Sequence, residues 1–294
     1  MAYIRTCHAI FGASVILGGE RVPIVHVHNF SYGLLNPVLG YVMSCLGAFL
    51  GLRCVRRARA YQGVARALWL LLASVAIGAT GIWVMHFIAM LGFTIPGQTI
   101  LYNVPVTIIS MLVAVAVVAV GLFIVGYGRG EGVVRLLTGG VIIGLGVASM
   151  HYIGMAAMRM PDMMRYNLGL VAVSVAIAIV AGTAALWAGL RVRGMWQTLG
   201  ASLLMGAAVS GMHYTGMAAM HVVAASSAGV YAASTGSGGD TAASFLLPLV
   251  LGIAISTFIV TILIMLAPDE DEIAADAQLA QRLADRSAPA RHRR

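Results

Sequence analysis

Three short strings in this 294-residue chain pair a histidine with methionines. They are MHFIAM (85–90), MHYIGMAAM (150–158) and MHYTGMAAM (212–220), and each lies at the end of a long uncharged run. Imidazole suits copper in both oxidation states, whereas a thioether is a soft ligand that favours Cu(I). Zinc sites more often include cysteine or carboxylate, and magnesium and calcium prefer oxygen ligands. Histidine and methionine without neighbouring acids therefore indicate a copper site.

Helical geometry ranks the possible ligands within each string. Positions advance by about 100° per residue, so the residue four after a histidine lies about 40° from it around the helix. The methionine directly before the histidine lies about 100° away. The predicted metal ligands are therefore His86, Met90, His151, Met155, His213 and Met217. Further candidates, as ligands or as residues that orient a ligand, are Met85, Met150, Met158, Met212, Met220, His28, Tyr152 and Tyr214.

Core packing is the competing interpretation of these strings, because methionine fills irregular gaps in packed interiors. A histidine inside a membrane, however, is expensive and usually functional. Three such residues in register favour a functional cluster. They could converge on one centre or form separate sites between neighbouring helices, and the sequence permits both arrangements.

The elements that position the motifs are long apolar segments. The chain is 60 % hydrophobic and only 10 % charged, against roughly 25 % charged in typical soluble domains, which excludes an ordinary cytoplasmic enzyme. Spanning a bilayer takes roughly 20 apolar residues. We therefore predict an all-α polytopic membrane bundle of seven transmembrane helices, at about 30–52, 67–92, 106–126, 136–158, 168–190, 197–220 and 245–267.

The bundle contains an internal repeat, because a motif closes each of the second, fourth and sixth spans. The prediction is three two-helix repeats plus one extra helix. A unit with an even number of spans repeats without inversion, so all three motifs must lie at the same depth.

The net charge of +8 indicates membrane orientation rather than binding to nucleic acid. Fourteen of the 18 arginines fall in alternate loops and the C-terminal tail. Because cytoplasmic loops collect arginine and lysine, we expect an outside N-terminus, a cytoplasmic C-terminus and motifs near the outer leaflet of a bacterial plasma membrane. The oligomeric state is left open.

Three regions are expected along the chain. Residues 1–29 form an extracytoplasmic arm, with a signal peptide or a start codon assigned too early as alternatives. Residues 30–267 form the membrane domain, and 268–294 a cytoplasmic polar tail. No GxSxG motif, phosphate loop or paired carboxylate is present, so we do not expect an enzyme. We also expect no soluble catalytic domain after the seventh span, since only 27 residues follow residue 267.

The repeats resemble the MHYT family of membrane sensor domains. The third copy reads MHYT at 212–215, whereas the first departs from the pattern at Phe87, Ile88 and Ala89. The resemblance covers about residues 28–267. It implies copper bound through histidine and methionine, and detection of redox state or of a diatomic gas such as oxygen, carbon monoxide or nitric oxide. Many relatives carry cyclic-di-nucleotide synthase, phosphodiesterase or kinase domains, so here we expect a separate cytoplasmic signalling protein as partner.

Two other functions stay open from the sequence. A copper transporter, or another copper-binding membrane protein, would carry similar ligands, but a transporter usually binds near the midplane and needs a polar path. The cytoplasmic halves of these spans are apolar. A haem protein would also use histidine and methionine as axial ligands, although haem favours two facing ligands over three equivalent pairs.

Overall fold

The protein is a bundle of long helices with short strands at one end. The computed structural model describes residues 14–17, 20–23, 25–128, 132–160, 162–223, 240–266, 278–279 and 281–283. The long helices are α1 (Leu35–Ala60), α2 (Gly63–Leu91), α3 (Val104–Tyr127), α4 (Gly132–Ala156), α5 (Leu168–Arg191), α6 (Met195–Ala218) and α7 (Leu247–Leu266). The strands are β1 (Ser14–Leu17), β2 (Glu20–Pro23), β3 (Leu101–Tyr102), β4 (Met158–Arg159), β5 (Met163–Tyr166), β6 (Met220–Val223) and β7 (Asp240–Thr241).

Asparagine begins two of the odd-numbered helices. The Asn103 side chain accepts a hydrogen bond from the backbone N–H of Val106, and Asn167 accepts from Gly169 and Leu170. Asparagine is among the preferred residues at this position because its side chain satisfies an otherwise unpaired N–H of the first turn. The two caps occupy equivalent places in the second and third repeats.

Helix α2 changes its winding just before the first motif. It runs as an α-helix over Gly63–Val75, widens to a π-helix over Ala76–Val84, and returns to an α-helix over Met85–Leu91. π-Helical turns are rare and frequently occur at functional sites. The first motif, at 85–90, lies on the regular α-helix that follows the π-helix. The angular ranking of its residues requires this regular geometry.

Several predicted boundaries differ from the structure. Helix α1 begins at Leu35 instead of residue 30, and it continues to Ala60 through the arginine cluster because arginine is a good helix former. Helices α4 and α6 end at Ala156 and Ala218, two residues before the ends predicted for the fourth and sixth spans. The chain beyond each end is held in strand pairing.

Six helices are long and apolar enough to cross a membrane, among the residues that the structure describes. They are α1 to α5 and the segment Ser244–Met265, which contains most of α7. Helix α6 is more polar, and it buries Thr198, Ser202 and His213. The all-α membrane bundle is thus confirmed in outline, while the count of seven spans stays a prediction.

The first six helices form a closed ring. Each packs on the next in chain order, and α6 packs back on α1, while α7 lies outside against α1 and α2. Close approach depends on small residues, as is usual between membrane helices. A Cβ on Gly47 of α1 would overlap the backbone of Gly81 of α2, and one on Gly144 of α4 would overlap Ile179 of α5.

The same backbone contacts recur in all three repeats at the motif end of the ring. Each repeat uses the carbonyl six residues after its motif histidine to accept from the start of its own odd-numbered segment. The bonds run from Ser31 to Gly92, from Asn103 to Ala157 and from Asn167 to Ala219, at 3.0, 2.8 and 2.8 Å. Short antiparallel pairings follow two residues later, joining His28 to Thr94, Leu101 to Arg159 and Arg165 to His221. The repeat is therefore structural as well as sequential.

Candidate metal centre

The three motif histidines meet in the interior of the ring. His86, His151 and His213 lie near the C-terminal ends of α2, α4 and α6, and each is at most 1 % exposed. The Nδ1 atom of His86 lies 3.0 Å from that of His213 and 3.1 Å from that of His151. All three pairs of ring centroids are 5.0 Å apart. Of the two arrangements open from the sequence, the structure has the single cluster.

Glycines of the neighbouring motif make room for two of the imidazoles. The Nε2 atom of His86 lies against Gly154, and that of His151 lies against Gly216. A Cβ at either glycine would overlap the ring. Both glycines stand three residues after a motif histidine, where the first copy has Ala89. The glycine of the motif thus has a steric role that the sequence alone did not reveal.

The hydrogen-bonding capacity of the cluster is incompletely used. The Nε2 atoms of His86 and His151 are buried and have no partner in the part of the chain that the structure describes. A neutral imidazole has one N–H and one lone pair, so two Nδ1 atoms in contact can share only one hydrogen. The Nδ1 atoms are the ones that converge, and nitrogen lone pairs that point at a common centre suit a metal ion. Ligand atoms of the three histidines all lie within 4.8 Å of one another.

All eight methionines singled out from the motifs are buried. Met85, Met90, Met150, Met155, Met158, Met212, Met217 and Met220 are each at most 4 % exposed. Met158 and Met220, however, lie in β4 and β6. The helices end before these two residues, so they do not share the helical face of their histidines.

The motif aromatics contact the histidine rings edge-on. Tyr152 and Tyr214 each lie 4.9 Å, centroid to centroid, from the histidine that precedes them. The Tyr152 hydroxyl bonds to Ser174 Oγ at 2.7 Å, whereas the Tyr214 hydroxyl is buried without a partner among the described residues. His28 is exposed and pairs with Thr94 through its backbone.

Aromatic contacts between successive repeats were not predicted. Each motif aromatic packs on a ring at the start of the next repeat, and the third packs back on the first. The pairs are Phe87–Tyr102, Tyr152–Tyr166 and Tyr214–Phe30, with centroids 6.2, 5.7 and 5.6 Å apart. The recurring Tyr-Asn dipeptide at 102–103 and 166–167 was the available sequence signal.

A family model described as a bacterial signalling protein N-terminal repeat, MHYT, matches residues 80–139 and 144–202. The chain belongs to the MHYT family. Each matched stretch contains one motif and the odd-numbered helix that follows it. The third MHYT motif, at 212–215, lies beyond both stretches, although its histidine completes the cluster.

Curated MHYT relatives are signalling proteins. The chain is 37 % identical over 210 residues to the cyclic di-GMP phosphodiesterase NbdA of Pseudomonas aeruginosa, covering 69 % of this chain and 26 % of NbdA. It is 36 % identical over 194 residues to the bifunctional diguanylate cyclase/cyclic di-GMP phosphodiesterase MucR of the same species, covering 64 % of this chain and 28 % of MucR. It is 32 % identical over 205 residues to the signaling protein YkoW of Bacillus subtilis, covering 66 % of this chain and 24 % of YkoW.

The chain spans about a quarter of the length of these relatives. No solved structure matches it significantly. The family and the apolar helices together identify an integral membrane protein with a sensory role in signalling.

Proposed function

We propose that this membrane sensor domain holds one copper ion between His86, His151 and His213, and that the state of this centre is its input. The observation that carries the proposal is the convergence of the three Nδ1 atoms, at 3.0 and 3.1 Å, in a fully buried position. Packing alone does not account for three converging imidazoles, two of which have a buried Nε2 atom without a partner among the described residues, because such an atom costs roughly 1–3 kcal/mol.

The donor set favours copper over other metals. No aspartate or glutamate is buried among the residues whose side chains the structure describes, so neutral ligands would hold a bound cation and leave its charge uncompensated. Burying charge is costly, which favours a monovalent ion such as Cu(I). The flanking thioethers of Met90, Met155 and Met217 suit the same ion. When bound, copper would supply a site for a diatomic gas or for an electron.

The surrounding residues can pass a change at the centre to the other helices. Because the rings of His86 and His151 rest on the next motif helix, movement of one ring displaces a neighbouring helix. From the motif helices, hydrogen bonds lead outward: Trp83 of α2 donates to the Ser110 hydroxyl of α3 at 3.0 Å, and Tyr152 links α4 to α5. The receiver is a separate cytoplasmic signalling protein at the arginine-rich end.

The packing supports a sensor over the two alternatives. A void of about 20 Å³ inside the ring is lined only by apolar residues such as Leu52, Val118 and Leu186, which is unsuited to carrying an ion across. Haem would require a wide slot between its axial ligands. The histidine rings, 5.0 Å apart in every pair, leave no such slot.

Metal analysis of the purified full chain tests the proposal. We expect about one copper per chain, and a loss of most of it in His151→Ala. His221→Ala is the matched control, because His221 is exposed and lies in β6. A wild-type chain that binds zinc instead, or a His151→Ala chain that keeps its copper, would refute a copper centre at this cluster.

A further inference from the structure

A large cavity lies outside the histidine cluster, between α7 and the motif ends of α1 and α2. Its volume is about 650 Å³, within the range of roughly 300–1,000 Å³ typical of ligand sites. Leu39, Leu247 and Leu251 line it and are each about half exposed. Since these leucines belong to the apolar outer surface of the bundle, the cavity opens toward lipid.

The cavity wall is neutral. None of its lining residues in the described chain is charged. A phospholipid head group carries a phosphate, which proteins usually bind with arginine or lysine. The wall has polar groups on Tyr32 and Asn36 of the α1 side and on Thr94, Gln98 and Tyr102, which lie in the segment that follows α2. The wall therefore fits a neutral molecule with an apolar body and a small polar head.

Two polar groups of this segment have hydrogen-bonding capacity to offer. Gln98 Nε2 donates to an Asp162 carboxylate oxygen at 2.7 Å, and this fixes the amide orientation because a carboxylate only accepts. Gln98 Oε1 is buried without a donor among the described residues. Burial raises the pKa of Tyr102 above its ordinary value, so its hydroxyl stays protonated and able to donate. Gln98 and Tyr102 thus offer one acceptor and one donor.

We propose that this cavity binds a lipid-soluble hydroquinone. One ligand hydroxyl donates to Gln98 Oε1, and the Tyr102 hydroxyl donates to a ligand oxygen. The rings of Phe93 and Tyr32 line the same cavity and supply flat apolar surface for an aromatic head. The isoprenoid tail lies among the leucines at the opening. An oxidised quinone has no O–H to donate, so the site favours the reduced form.

The ligand would contact the helix that carries the first motif histidine. Ile88 and Met90 line the cavity, and Met90 stands four residues after His86 on α2. Occupancy can therefore influence the first motif independently of any metal. Hydroquinone binding is a second input that does not rest on the copper proposal.

Calorimetric titration of the metal-free full chain in nanodiscs tests the site. The probe is a benzohydroquinone with one prenyl unit, kept reduced, compared with its benzoquinone. We expect the hydroquinone to bind about tenfold more tightly, the amount expected for one hydrogen bond to a buried acceptor. Gln98→Met should abolish this preference, because Met keeps the volume and removes the acceptor. Leu39→Trp should place a bulky ring at the cavity opening and abolish binding of both compounds.

Two control variants separate the site from indirect effects. Asp162→Ala removes the partner that orients the Gln98 amide but keeps the acceptor, and should weaken the hydroquinone preference less than Gln98→Met does. Val42→Trp adds the same ring on α1, at a residue that is 51 % exposed and outside the cavity wall, and should bind normally. Equal affinity for the two compounds, or binding that survives Leu39→Trp, would show only a groove for bulk lipid.

Discussion

At the scale of single residues, the decisive contacts are between each imidazole and the glycine of the next motif. The rings of His86 and His151 occupy the space that a side chain at Gly154 or Gly216 would need. The first motif has Ala89 at the equivalent position, so the third side of the cluster is built differently. The near-threefold cluster is therefore not equivalent on its three sides.

This contact predicts a specific effect of adding one methyl group. Gly216→Ala should displace His151, lower the copper content and destabilise the chain by about 1–3 kcal/mol, as overpacking of a core usually does. Gly211→Ala, on the same helix, is the control, because a Cβ there meets no atom within 4 Å. It should be neutral or slightly stabilising, since alanine favours helix over glycine by about 0.5–1 kcal/mol.

The two variants are compared by thermal unfolding and by metal content. If Gly216→Ala keeps both the wild-type midpoint and the wild-type copper, the imidazole has room to move. The proposed tight coupling between neighbouring motif helices would then be wrong.

At the scale of helices, the angular positions of the methionines set the order of ligands. Met155 and Met217 lie on the histidine face of α4 and α6, and the structure confirms that both motif helices extend past these residues. We predict that Met155→Leu and Met217→Leu lower copper retention more than Met150→Leu and Met212→Leu do. Leucine keeps a similar volume and costs less than about 1.5 kcal/mol in such swaps, so copper loss would report ligation.

The same metal measurements should show that His151→Ala and His213→Ala lose more copper than any methionine variant. Imidazole binds copper in both oxidation states, whereas thioether chiefly holds Cu(I). An inverted methionine ranking would mean that Met150 and Met212 reach ligands on a neighbouring helix. Equal retention in all six variants would mean that the motif is packing or serves another cofactor.

The length of the apolar runs predicted these helices better than it predicted their ends. Apolar run length placed every long helix, and the motif spacing revealed the repeat, because both depend on neighbours along the chain. The turn at Met158 and Met220 escaped prediction, because strand pairing with Tyr102 and Tyr166 ends these helices. The contact of His86 with Gly154 joins residues far apart in sequence, so only the fold could reveal it.

At the scale of the whole molecule, the position of the arginines predicts the orientation in the membrane. Arg56, Arg66 and Arg193 lie at or near helix ends opposite the motifs, and positive charge stays on the cytoplasmic side. A reporter fused after Arg294 should therefore behave as cytoplasmic, and one inserted at 93–105 as extracytoplasmic. Reporters with the reverse behaviour would put the histidine cluster near the inner leaflet and exclude an outer-leaflet site.

The aromatic contact between Tyr214 and Phe30 has a consequence for the origin of the domain. It brings the end of the third repeat against the start of the first, as the other repeat junctions do along the chain. Three copies of a single helical hairpin could make the same set of contacts as a homotrimer, with one histidine from each subunit at the centre. Gene duplication and fusion of such a hairpin would then explain why one copy could lose its glycine while the other two retained it.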